Sequence, residues 1–179
     1  TLCQMELEGL ELDWDEYERQ SVIIEHFKDS LNEEIQEELS ERLGELVRVN
    51  FNSPKQVAEL LYEKMKLPPQ YNKKSGNFTT DEKAITHLVR ITNDPGLKKI
   101  LEWRGVSKLL SSYITKYLNE LRYDPSGRAR PSHNQLGAGT GRFSVDGVSY
   151  QQWPKPYHFE LKNGEALDLN YRNFLIAPE

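Results

Sequence analysis

A single cysteine, short apolar runs and the absence of any complete catalytic signature set the first limits on this chain of 179 residues. Cys3 has no second thiol to meet, so an internal disulfide is excluded. A reducing compartment fits, either the cytoplasm or a host cell's cytoplasm. Apolar runs such as Val22-Ile23-Ile24 are far too short to span a bilayer, so no membrane partner is expected. There is no basic-then-apolar leader, and the chain opens on Thr1, as expected of a fragment or a processed product. His26, His87, His133 and His158 share no metal-ligand spacing, and Cys3 is remote from all four. No lysine follows the glycine run Gly137-Ala138-Gly139-Thr140-Gly141, which excludes a Walker loop. A dinucleotide loop would need a third glycine where Arg142 stands and a strand before it, and His133-Asn134-Gln135 is a poor buried strand.

What is present is an ordinary globular composition, with 28% charged and 37% hydrophobic residues. The net charge of −5 hides a strong segregation. Residues 1–48 hold fifteen acids against four bases, and the remainder holds thirteen against nineteen. The basic remainder, not the acidic total, decides whether a polyanion is attracted. Acid pairs such as Glu33-Glu34 and Glu37-Glu38 read as a solvated helix face and not as catalytic groups.

Periodicity predicts a mainly helical protein with a smaller strand-and-loop part. Residues 2–12 partly alternate apolar and polar, which suggests a short strand or extended lead-in. A helix capped by Asp13 or Asp15 runs to Gly44 with Phe27, Leu31, Ile35, Leu39 and Leu43 on one face. Ser53, Pro54 and Gln56 make a capping box for a second helix, which Leu67-Pro68-Pro69 ends after Met65. A polar tip with Lys73 and Lys74 follows. Thr79 and Glu82 form a second box. Asp94-Pro95 then opens a helix that would span roughly 40 Å from residue 96 to 121 at 1.5 Å per residue. Its buried face would carry Leu97, Ile100, Leu101, Leu109, Tyr113, Tyr117 and Leu121. Long helices joined by shorter ones make an antiparallel helical hand. After the turn at 123–127 the texture changes to Gly, Ser, Gln and Pro with short apolar stretches, and the final run Phe174-Leu175-Ile176-Ala177 lacks a partner element.

Four collinear segments carry a resemblance: Asn52-Ser53-Pro54-Lys55-Gln56 with Ala58-Glu59-Leu60-Leu61; the lysine tip leading into Thr79-Thr80-Asp81-Glu82; Ile100 to Leu109 running on to Ser111-Ser112-Tyr113; and Gly127-Arg128, Asn134-Gln135 and Gly139-Thr140-Gly141-Arg142-Phe143-Ser144. Together they resemble family A, polymerase I-like DNA polymerases over about residues 2–154. The resemblance implies an antiparallel helical thumb over 1–122, with a lead-in at 1–14, and the first strands of an incomplete palm over 123–179. It implies that Arg142 meets the primer–template minor groove, where acceptors common to all correct pairs are presented. Thr140, Asn134, Gln135, Gln151 and Gln152 would serve beside it as neutral donors. Arg104 and Lys108, four apart, would share a helix face with Ser111 and Ser112 following, suited to a phosphate backbone. Lys73 and Lys74 would be phosphate contacts at the tip.

The resemblance also implies what this stretch lacks. Transfer by paired Mg²⁺ ions needs carboxylates that the family places after a segment resembling 171–179. Asp146 and Asp168 do not match those positions, so no cofactor is expected here, although Mg²⁺ serves the complete enzyme. The expected function is therefore the duplex-gripping portion of a DNA-directed DNA polymerase, inactive alone, whose partners are primer–template DNA and the rest of the enzyme, in cis or as a second chain. Tyr150-Gln151-Gln152-Trp153-Pro154 departs from the family's usual Leu-Gln-Asn-Ile-Pro. Residues 155–169 look like an inserted hairpin turning at Lys162-Asn163-Gly164-Glu165, which suits a phage-type polymerase. The competing reading is a non-enzymatic helical module whose acidic residues 15–45 dock a protein; it has no use for Gly139-Thr140-Gly141-Arg142.

Overall fold

The computed structural model describes residues 2–116, 119, 124, 126–147, 153, 155–160, 164, 166–174 and 176. Among them the chain is mainly helical with three small antiparallel strand pairs, the class the sequence predicts. It forms two compact units, His26–Ser107 and Thr1–Glu25 with Lys108–Glu179. The first 25 residues and the chain from Lys108 onward fall in the same unit as the strand region. No helix among the described residues is long and apolar enough to cross a membrane.

Helices build the unit His26–Ser107. Helix α2 (Trp14–Leu43; α1 and β1 belong to the other unit) enters it at residue 26 and ends before Gly44 at φ +67°. Phe27, Leu31, Ile35 and Leu39 are all buried, as their spacing of four requires. The chain then returns along α2 without helical bonds of its own, so side chains of α2 satisfy its backbone. Val47 N donates to Ser40 Oγ (2.8 Å), Val49 N to Gln36 Oε1 (3.0 Å), and Gln36 Nε2 to Val49 O (3.2 Å). Helix α3 (Pro54–Ala58) begins on Ser53, which accepts from Gln56 N. The reciprocal half of the expected box is absent: Ser53 N is already bonded to Asn50 O, and Gln56 Oε1 turns to Asn50 N (2.8 Å). A wide π-turn, Glu59–Lys64, carries the helix to Met65, and Lys66 at φ +57° ends it just before the prolines.

Helix α4 (Glu82–Thr92) is capped by Asp81, which accepts from Ala84 N (2.8 Å), and not by Thr79. Thr79 Oγ1 instead accepts from Asp81 N and holds the cap in place. Helix α5 (Pro95–Leu109) starts on Asp94, a buried acid that accepts from Gly96 N (2.9 Å) and pairs with Arg42 (2.6 Å). Lys99 sits between Glu34 and Glu38. Residue numbers that rise along α5 therefore meet numbers that fall along α2, which gives the antiparallel hand. This pairing corrects the expectation that Glu34 and Glu38 lie on a solvated face. A lysine from the neighbouring helix turns part of that acidic stripe into a bridge between helices.

The other unit joins both chain ends to the strand region. Helix α1 (Leu2–Glu8) stands where a strand was expected, and only β1 (Leu10–Glu11) is extended, pairing antiparallel with β2 (Arg128–Ala129). The apolar alternation of this stretch marked no buried face: α1 buries no residue. After Leu109 the last long helix widens into a π-turn, Leu110–Thr115. The extra residue per turn rephases the buried face to Leu109, Leu110 and Ile114, in place of Leu109 and Tyr113. Tyr117 and Leu121 lie outside the described residues. The Tyr17 ring packs edge-on against Phe174 at 4.8 Å, and its hydroxyl donates to Tyr113 O (2.5 Å). The final run, expected to have no partner element after it, bonds with the lead-in before it. Asp13 N donates to Phe174 O (2.9 Å) and Ile176 N to Glu11 O (3.1 Å).

Strands β3 (Ser132–Asn134) and β4 (Ser144–Asp146) form one hairpin, and β5 (Tyr157–Glu160) and β6 (Ala166–Leu169) another. The second is the hairpin expected at 155–169. Leu167 and Leu169 point inward from it, and of its turn only Gly164 is among the described residues.

Two outcomes test these contacts. Asp94→Ala removes a helix cap and strands Arg42. It lowers stability by about 2–4 kcal/mol and Tm by about 5–15 °C in calorimetry. On the β5–β6 hairpin, His158 Nδ1 lies 2.7 Å from Asp168 Oδ1, and the carboxylate raises the imidazole pKa above its ordinary 6.5. Because the folded value is the higher one, the pair's contribution to stability is full below about pH 6.5 and is lost as pH rises through the folded pKa. An NMR titration of His158 reads this directly, and Asp168→Asn returns the midpoint toward 6.5.

Candidate nucleic-acid interface

The β3–β4 hairpin presents the glycine-rich loop, and the chain leading into it is anchored. Glu6 of α1 accepts from His133 N, which fixes β3 against the N-terminal helix. Before it, Asp124 accepts from Ser126 N and Ser126 Oγ and pairs with Arg130. The Ser126 bonds first, and Arg130 after them, hold the Asp124 pKa down at about 2. Arg130 also donates from Nε to Leu7 O (3.0 Å).

Within the loop, Leu136 N donates to Asn134 Oδ1 (3.0 Å) and Gly141 N to Ala138 O (3.0 Å). Gly137 has no room for a side chain, since a Cβ there would stand 2.2 Å from Ser144 Oγ. Gly141 adopts φ +72°. Gly139 differs: its φ is ordinary and nothing lies within 4 Å of where a Cβ would be. Asn134 at the end of β3 and Gln135, Thr140 and Arg142 in the loop are each exposed. A strand does precede the glycine run, contrary to expectation, but the chain returns as β4 and not as a helix, so no dinucleotide cradle forms.

Charge pairing separates the arginines here. Arg128 pairs with Glu11 and Arg130 with Asp124, whereas Arg142 is exposed and has no acidic partner among the described residues. Gln151 and Gln152, also expected at this site, lie outside the described residues. In the same unit Lys108, Ser111 and Ser112 are exposed in sequence along one helical segment, and Ser111 Oγ donates to Lys108 O (3.4 Å).

Arg104 is not available in the way its spacing from Lys108 suggested. It is turned inward, donating from Nε to Phe51 O (3.0 Å) and from Nη1 to Thr80 O. Burial lowers its pKa from the ordinary guanidinium value. The reason is the connecting chain: the segments at 51 and 80 leave carbonyls that no helix satisfies, and a planar fork reaches two of them at once. Phe51 packs edge-on against Trp103 at 5.4 Å beside it, so Trp103 is core. In the same unit, Lys73 and Lys74 are exposed on the tip turn and unpaired among the described residues. One basic stripe is absent from the sequence-derived set. Lys83, His87 and Arg90 are all exposed on α4, and their spacing of four and three was a readable signal.

Among the described residues no group of three or more His, Cys, Asp or Glu side chains is placed to hold a metal ion. Asp146 ends β4 opposite Ser132, and Asp168 is taken up by His158. The described residues do not fit a paired Mg²⁺ site.

Arg104→Ala leaves two carbonyls unsatisfied and costs about 2–4 kcal/mol. Arg104→Lys recovers less than half of that loss in denaturant titrations, because a point donor cannot reproduce the fork.

Comparison with known proteins identifies the family. Residues 19–179 match the model of DNA polymerase family A. DNA polymerase I of Helicobacter pylori is 31% identical over 153 residues, which is 86% of this chain and 16% of that protein. The DNA polymerase of Bacillus phage SP01 is 29% identical over 123 residues, or 64% of this chain and 13% of that one. The chain thus spans about a sixth of the length of the curated relatives it matches. Among solved structures, the POL domain of Pol1 from M. smegmatis, in complex with DNA primer-template and dNTP, superposes with a TM-score of 0.68 at 27% identity, covering 86% of this chain and 25% of that one. The chain belongs to DNA polymerase family A.

Proposed function

We propose that this chain is the thumb and first palm segment of a DNA-directed DNA polymerase and grips primer–template duplex. The observation that carries the reading is the β3–β4 loop. Two arginines of this region are neutralised by acids while Arg142 is exposed beyond a glycine, Gly139, that internal packing does not require. A bare backbone next to an unpaired guanidinium suits close approach to a groove edge and its phosphates. Asn134, Gln135 and Thr140 supply neutral donors beside it. Lys108, Ser111 and Ser112 offer a second set of phosphate contacts, and Lys73 with Lys74 a third. The M. smegmatis domain was solved with primer-template, which supports the same ligand here.

Nucleotidyl transfer with Mg²⁺ belongs, in this reading, to carboxylates and a nucleotide-binding helix outside this stretch, in cis or on a second chain. The chain alone is inactive. A protein-docking role for the acidic helix is not favoured, since Glu34 and Glu38 are already engaged by Lys99 within the fold.

Titration of the intact chain with a labelled primer–template duplex across a salt series tests the reading. Arg142→Ala with Lys108→Ala weakens binding about ten- to a hundred-fold and lowers the salt slope by about 2. Gly139→Val weakens it without changing Tm. No binding at low salt, or binding indifferent to all three substitutions, overturns it.

A further inference from the structure

The tip between α3 and α4 closes on itself. Tyr71 and Phe78 face each other across an antiparallel bridge, with Asn72 N bonded to Asn77 O (2.8 Å) and Thr79 N to Gln70 O (2.9 Å) on either side. Asn72 Oδ1 accepts from Lys74 N (2.8 Å) and shapes the turn that carries the lysines. Three rings stand in a row. Phe78 lies 5.3 Å from Tyr71 on one side and 5.3 Å from Tyr62 on the other. Tyr62 is pinned by its hydroxyl, which donates to Thr79 O (2.5 Å). Yet Tyr71 and Phe78 remain 58% and 55% exposed. Two large aromatics held rigid and left to water are not explained by the core. Beside Phe78 and Tyr62 opens a cavity of about 750 Å³, lined also by Lys55 and Asn77, with Tyr71 outside it. Glu59 and Glu63 share its helical wall. Lys55, Lys73 and Lys74 have no acidic partner among the described residues.

We infer that this tip groove is a stacking site for an unpaired nucleobase of single-stranded DNA, distinct from the duplex surface around Arg142. The inference rests on the reading of the chain as DNA-binding and shares Lys73 and Lys74 with it, but its rings, Tyr71 and Phe78, take no part in the duplex contacts. Rings with an open face take any base by stacking, and nearby unpaired cations hold the adjoining phosphates. Phe78 supplies the platform inside the groove and Tyr71 extends it outside, Asn77 lines the groove beside Phe78, and Lys73 with Lys74 takes the strand. Because Glu59 and Glu63 repel phosphates from the helical wall, the backbone runs along the lysine turn while the base enters the groove. Unpaired lysines beside the rings favour a nucleic-acid strand over a proline-rich peptide, which carries no charge for them to meet.

The test uses the intact chain and its Tyr71→Leu/Phe78→Leu variant, which keeps apolar bulk and removes both rings. Probes are labelled oligo-dT, an abasic strand of the same length, a blunt duplex and a proline-rich peptide. The variant binds oligo-dT about ten- to a hundred-fold more weakly than the parent. Blunt-duplex affinity and Tm are unchanged, and the abasic strand binds both proteins equally and weakly. The inference is overturned if the parent does not bind oligo-dT at low salt, if the variant binds it as the parent does, if the abasic strand matches oligo-dT, or if the peptide binds with the ring dependence instead. Absence of blunt-duplex binding by the parent, with ring-dependent oligo-dT binding present, sinks the duplex reading and leaves this one standing.

Discussion

Two backbone carbonyls, Phe51 O and Thr80 O, converge on the guanidinium of Arg104, and the helical unit is organised around that requirement. The segments between its helices are too irregular to satisfy their own polar groups, and a buried carbonyl left unpaired costs more than an ordinary hydrogen bond contributes. The unit solves the problem with side chains drawn from its helices. Gln36 and Ser40 hold the returning chain at 47–49, Arg104 ties the segments before α3 and before α4, and Tyr62 holds the tip through Thr79 O. Each is a polar residue on a helix whose side chain acts where a backbone partner is missing.

That requirement decides which cations are left for a ligand. Arg104, Lys99, Arg42, Arg128 and Arg130 are consumed by carbonyls or carboxylates within the fold. Arg142, Lys108, Lys73 and Lys74 are left exposed and unpaired among the described residues. Lys55, Lys83 and Arg90 are exposed as well, so the basic excess counted after residue 48 is carried by the cations the fold does not consume. Those are the positions that matter for a polyanion, because a neutralised arginine adds little to the local field. The same selection applies to acids: Asp94 and Asp124 are structural, the first as a buried cap and the second as the knot of a turn.

Family membership and site geometry answer different questions here. The match over residues 19–179 establishes what kind of protein this is. It does not distinguish an arginine that holds loops from one that faces outward. The four collinear segments contain both kinds, since Arg104 and Arg142 lie in two of them, and only the side-chain environment separates their roles.

The sequence by itself determined the elements whose signal is local. The buried stripe Phe27, Leu31, Ile35, Leu39, the end at Gly44, the Ser53-Pro54 helix start and the 155–169 hairpin follow from periodicity, capping and turn chemistry, which act over a few residues. The exposed set Asn134, Gln135, Thr140 and Arg142 was legible for the same reason: a glycine run can only be a loop. Tertiary structure alone decided the rest. The π-turn at Leu110–Thr115 shifted the buried face by one residue, because Tyr17 reaches the Tyr113 carbonyl from 96 residues away. Lys99 drew Glu34 and Glu38 out of an apparently solvated face. The final run found its partner in Glu11 and Asp13 at the other end of the chain. Contacts of this range leave no periodic trace in either participating segment, so only the folded chain reveals them.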